Sequence, residues 1–80
     1  MNEMADKEFS VRDISGAKQP VFVGSAVVIA SHPANMMTIE FMTKNQISPE
    51  GVACVVWFNE RGDLCRDEFP LDCLRLAWNE

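Results

Sequence analysis

Apolar and β-branched residues fall in short runs along this chain, and each run is closed by residues that break a strand. Val21-Phe22-Val23-Gly24-Ser25-Ala26-Val27-Val28-Ile29-Ala30 is too short and too interrupted by glycine for a helix, and it reads as a strand. Ser31-His32-Pro33-Ala34-Asn35 has the composition of a turn. Met36 to Met42 then alternates, with Met37, Ile39 and Phe41 sharing one face and Thr38 and Glu40 the other. After a polar loop over residues 43–51, Val52-Ala53-Cys54-Val55-Val56-Trp57-Phe58 is the most apolar run in the chain. Such a run is expected of a central strand buried on both faces. Asn59-Glu60-Arg61-Gly62-Asp63 reads as a hairpin turn in which Gly62 is free to take positive φ. Leu64-Cys65-Arg66-Asp67-Glu68-Phe69 returns as a strand of mixed polarity, stopped by Pro70, which has no N–H to donate. Residues 70–74 then make one helical turn, and Arg75-Leu76-Ala77-Trp78 a last short strand.

Residues 1–20 behave differently. They mix charges with isolated apolar residues and end in Ser15-Gly16-Ala17-Lys18-Gln19-Pro20, which neither helix nor strand tolerates well. This stretch reads as a flexible N-terminal arm, in which Phe9, Val11 and Ile14 support at most a short helix over residues 8–14. The domain proper is then residues 21–80. Four or five short strands with one turn near the end predict an all-β domain, a small SH3-like curled antiparallel barrel. Its expected core is Val27, Ile29, Ile39, Phe41, Val55, Trp57 and Leu74. Eighty residues allow one such domain and one modest core, burying roughly 60% of the unfolded chain's surface at this size.

Composition narrows the partners. The acidic opening has no apolar run, so it has the marks of neither a signal peptide nor an anchor, and no other stretch nears the ~20 apolar residues of a membrane span. Three cysteines, Cys54, Cys65 and Cys73, make an odd count that fits reduced thiols in a cytoplasm. A net charge of -5 argues against a phosphate-binding surface, so nucleic acid is a poor first partner.

Candidate chemistry is sparse. The single histidine, His32, lies in a turn with no signature that sets it beside a thiol, so a Cys-His catalytic pair has no support. A zinc centre on the three cysteines and His32 would have enough ligands, but the close ligand pairs that clamp zinc are absent. No enzyme activity, metal or cofactor is expected. What stands out is acidity: Glu60, Asp63, Asp67 and Glu68 gather on the expected hairpin, broken by Arg61 and Arg66. The bland reading is a solvated edge whose charges prevent strand-to-strand aggregation. The functional one is a surface for a basic partner, or an imitation of DNA phosphates. Trp57 and Phe58 are adjacent on one strand, so they face opposite ways and only one can lie in the core. Something must cover the other: the arm, Trp78 or a second copy.

Gly24-Ser25-Ala26-Val27-Val28, Met37-Thr38-Ile39, Trp57-Phe58, Gly62-Asp63-Leu64, Phe69-Pro70 and Leu74 together resemble the YodC-like small bacterial proteins. The resemblance covers about residues 22–76 and is best from Trp57 to Leu74. It departs at Ser31-His32-Pro33-Ala34-Asn35-Met36, where that family usually has Ser-Gly-Gly-Pro. It departs again at Val55, where the family tends to place a cysteine; Cys54 is one residue earlier and on the opposite strand face. The resemblance implies a compact β fold and no settled activity.

The reading that results is a non-enzymatic, cytoplasmic protein-interaction or adaptor module. Its contacts would run through Glu60, Asp63, Asp67, Glu68 and Phe58 toward a protein partner, with a homodimer left open. The first alternative is a phage or mobile-element inhibitor, a DNA mimic directed at a nucleic-acid-handling host protein. A small nucleic-acid-binding barrel comes third, against the charge.

Overall fold

The computed structural model describes residues 9–77, and the expectations for residues 1–8 and for Trp78 lie outside the described residues. The chain is all-β. Its strands are β1 (Ser10–Arg12), β2 (Lys18–Pro20), β3 (Ala26–Ile29), β4 (His32–Thr43), β5 (Val52–Phe58), β6 (Leu64–Pro70) and β7 (Leu74–Leu76), with a 3-10 turn at Leu71–Cys73. All seven belong to one sheet in the order β2-β1-β7-β3-β4-β5-β6. The sheet is not closed: among the described residues β2 and β6 are its edges.

The two strands beyond the expected four or five come from the stretch read as an arm. β1 and β2 form an antiparallel hairpin, Val11 opposite Gln19, and β1 lies parallel to β7 with Arg12 opposite Arg75. Val11 is buried in the core. A single side chain organises the connection. The carboxylate of Asp13, 3% exposed, accepts hydrogen bonds from Ser15 N, Ser15 Oγ, Ala17 N and Gln19 Nε2 at 2.6–3.1 Å. This Asp-centred turn lets a polar, glycine-containing stretch carry a strand on either side. The sheet therefore includes strands N-terminal of residue 21, and Ser10–Arg12 is a strand within the stretch that offers a short helix by its apolar residues.

Two bulges in β4 decide which side chains reach the core. Ile39 pairs with Val55, yet Phe41 pairs with Cys54, so Glu40 is an extra residue on β4. Alternation is broken there. Phe41 turns to the face that carries Cys54 and is 49% exposed, while Met42, opposite Ala53, points inward. Phe41 is thus not a core residue. Nearer the start of β4, Ile29 pairs with His32 and Val27 with Met37, so two steps on β3 span five on β4. The turn is only Ala30 and Ser31, and residues 33–36 belong to the strand as a protruding, exposed stretch.

The core is built from Val11, Val21, Val27, Met37, Ile39, Ala53, Val55, Leu71 and Leu74, with Phe9, Ile29, Met42, Trp57, Phe69 and Leu76 packed around it. Val27, Ile39, Val55 and Leu74 hold the places expected of them, and Ile29 and Trp57 are half-buried. Gly51 sets the close approach beneath the 3-10 turn: at φ +115°, a Cβ there would meet Leu71 Cδ1 at 2.8 Å and Phe9 Cδ1 at 2.9 Å. The backbone of Leu71 donates to Gly51 O at 2.9 Å across this contact. Only glycine satisfies both the conformation and the space.

Candidate functional site

The β5–β6 hairpin ends in a turn that its own side chains hold. Asn59 Oδ1 accepts from the backbone N–H of Arg61 at 2.9 Å and of Asp63 at 3.0 Å, and Asn59 N donates to Asp63 O at 3.0 Å. Gly62 takes φ +85° and donates to Asn59 O. Fixing this turn fixes the register behind it, with Phe58 opposite Leu64 and Trp57 opposite Cys65. Phe58 and Leu64 are therefore an apolar cross-strand pair on the outer face, 69% and 53% exposed. Trp57 points to the other face and packs against the core. Of the two adjacent aromatics, Phe58 is the exposed one.

The protruding stretch of β4 stands against this hairpin. His32, Pro33, Ala34 and Asn35 form one wall of a cleft of about 720 Å³, and Trp57, Phe58, Asn59, Glu60 and Arg61 form the other. Pro33, Trp57 and Phe58 give its lining an apolar part, and His32, Asn35, Asn59, Glu60 and Arg61 a polar one. Recognition clefts commonly have this build, a hydrophobic lining with a few polar groups that set orientation.

The expected contact residues divide along the hairpin. Phe58 and Glu60 line the cleft. Asp63 sits in the turn, 3.5 Å from Arg61 Nε in an exposed ion pair. Asp67 and Glu68 lie on β6, opposite Val55 and Cys54 respectively, so their side chains leave opposite faces of the strand. At a rise of about 3.3 Å per residue they begin roughly 10–15 Å from the hairpin tip. The acids thus form a rim along a free edge, with only Glu60 at the cleft itself. The second wall, residues 32–35, falls in the stretch 31–35 whose composition predicts a turn; a three-residue excess in the β4 register has no sequence signal of its own.

The outer face of β4–β6 carries a further feature. Arg66 Nε donates to Glu40 Oε1 at 2.9 Å and Arg66 Nη2 to Glu40 Oε2 at 3.2 Å, a two-pronged pair between residues 26 positions apart. Its hydrogen bonds to Arg66 hold the Glu40 carboxyl below the usual carboxylate range. The Cys54 thiol beneath it donates to Glu40 Oε1 at 3.6 Å. Burial first, and the neighbouring Glu40 second, push that thiol above its ordinary value. Thiolate, the reactive form, is correspondingly scarce there.

Cys54, Cys65 and Cys73 are all free thiols. Among the described residues no three His, Cys, Asp or Glu are grouped to hold a metal ion, and no helix is long and apolar enough to cross a membrane. The fold and cleft define a small all-β protein with an aromatic cleft and an acidic edge. Neither family models, nor curated proteins, nor solved structures match this chain.

Proposed function

We propose that this chain is a protein-interaction module that holds a basic, apolar-anchored segment of another protein in the cleft between residues 32–35 and the β5–β6 hairpin. The observation that carries this is Phe58. A large aromatic 69% exposed, at the mouth of a cleft and beside an acidic edge, marks the kind of surface that aromatic anchors and charge steering use. The strand order β7-β3-β4-β5-β6, with a 3-10 turn before β7, supports reading these five strands as an SH3-like arrangement. The β1–β2 hairpin is then an addition to its edge.

Charge selects among occupants. A second copy would bring another net -5 to the same edge, whereas a basic segment meets Glu60 at the cleft and Asp67 and Glu68 along β6. Imitation of DNA draws less support, because Asp67 and Glu68 leave opposite faces and Asp63 is paired with Arg61. No row of like charges forms along the hairpin.

A photo-crosslinking residue at Asn35 tests the proposal in the cell of origin. Expected is one protein crosslinked through a Lys- or Arg-rich segment, and loss of that adduct in Phe58→Ser. Crosslinking to a second copy, or an adduct that survives Phe58→Ser unchanged, overturns it.

A further inference from the structure

The sheet registers assemble a feature that the proposed interaction does not use. Lys18 pairs with Arg12, and Arg12 pairs in turn with Arg75, so three cationic residues stand in one row across β2, β1 and β7. Cross-strand partners share a face, and strands lie about 4.8 Å apart, so the three stems fall within roughly 10 Å. Three of the chain's seven Lys and Arg residues are therefore gathered on one spot of an acidic protein. The others that are described sit elsewhere: Arg61 pairs with Asp63, Arg66 with Glu40, and Lys44 lies 5.5 Å from the Phe9 ring centroid.

The row is held without being neutralised. Arg12 Nη1 donates to Gly16 O at 2.8 Å, and Arg75 Nη1 donates to Asp72 O at 3.0 Å and Leu74 O at 2.8 Å. Backbone carbonyls thus position both guanidinium groups through one nitrogen each, and Nε and Nη2 make no hydrogen bond among the described residues. A cavity of about 330 Å³ opens over the row, lined by Ser10, Arg12, Lys18, Glu50, Asp72 and Arg75 among others. The two carboxylates on this lining leave one net positive charge. A single compact anion suits that balance. A polyanion does not, because its further charges would meet the acidic remainder of the molecule.

The geometry points to an anion site here for one phosphate group, gripped by the forked donors of Arg12 and Arg75 and the ammonium of Lys18. Guanidinium forks match phosphate oxygens two at a time, and phosphate offers these donors more acceptor oxygens than a monocarboxylate does.

The full chain, labelled with ¹⁵N, is titrated with inorganic phosphate at constant ionic strength, and with acetate in parallel. Expected are saturable shifts of the Arg12 and Arg75 Nε–Hε signals, with the Arg61 and Arg66 side chains unmoved. Acetate should bind more weakly. Lys18→Gln and Arg75→Gln should each weaken phosphate by about tenfold, the cost of one charge-assisted contact. Lys18 is exposed and its ammonium makes no hydrogen bond among the described residues, so its variant keeps the fold, which the amide spectrum verifies. Linear shifts shared by all four arginines, equal affinity for acetate, or undiminished binding in a folded Lys18→Gln variant would overturn the proposal.

Discussion

Arg66 holds Glu40 by two parallel hydrogen bonds on the outer face of β4–β6, and this sets how that carboxyl titrates. Glu40 has a folded-state value below its unfolded one, so the unfolded chain binds the proton first as pH falls. The pair's contribution is complete above the ordinary carboxylate value and is lost as pH drops below it. Removing Arg66 should return Glu40 toward ordinary behaviour. A carbon-detected titration of Arg66→Gln is expected to show the Glu40 midpoint rising, and a midpoint identical to wild type would mean that the pair does not persist in solution. Core and surface separate just as cleanly at this scale. Leu74 is fully buried and Leu74→Ala should cost about 2–5 kcal/mol. Phe41→Ser, on the solvent side of the bulge and 49% exposed, should cost clearly less, about 1 kcal/mol. Urea midpoints of the two variants measure the contrast, and equal losses would show that Phe41 packs inward.

Among the elements, the β1–β2 hairpin has the least conventional basis, since its two strands of three residues are tied together by the Asp13 carboxylate. Four donors converge on a side chain that is 3% exposed, and an isolated hairpin of this length has little stability of its own. Asp13→Ala is expected to cost at least about 2 kcal/mol, because hydrogen bonds to a charged acceptor are the stronger kind and the donors they leave are partly buried. Hydrogen exchange should then rise first at Val11 and Gln19, ahead of β5. Unchanged protection in the hairpin would show that packing of Val11, rather than the carboxylate, holds it. The bulge at Glu40 belongs to the same scale: one added residue moves Phe41 from opposite Ala53, where unbroken register would put it, to opposite Cys54, and so turns it to the outer face.

Across the whole molecule, charge is segregated by strand order. Lys18, Arg12 and Arg75 lie on β2, β1 and β7 at one end of the sheet, while Glu60, Asp63, Asp67 and Glu68 follow the β5–β6 hairpin at the other. An acidic edge acts mainly on association rate, and its field is screened beyond about 8 Å at physiological salt. Reversing Asp67 and Glu68 to lysine should therefore slow partner capture by the cleft and flatten its salt dependence, with the fold intact. Stopped-flow or surface-binding association rates at two salt concentrations, taken with the partner that Asn35 crosslinks, would read this. Rates that match wild type at low salt would reduce the edge to a solvated, aggregation-resisting border.

The runs 21–30, 52–58 and 64–69 hold β3, β5 and β6, although residues 21–25 lie outside any strand and β6 takes in Pro70. These strands, the turn at 59–63 and the 3-10 turn after Pro70 are legible because each rests on local chemistry: β-branched alternation, a glycine at positive φ, a proline near the end of a ladder. The acids of the hairpin and the opposite facing of Trp57 and Phe58 are legible for the same reason, but which of the two is exposed is settled only by the fold. What local pattern could not carry was register. Whether Phe41 faces in or out depends on how β4 counts against β5, and the second wall of the cleft depends on how it counts against β3. Likewise Val11 becomes core only because β7 offers β1 a free edge, and Arg12, Lys18 and Arg75 become neighbours only through that pairing. Pairing between distant segments is a property of the assembled sheet, so tertiary structure alone decides it.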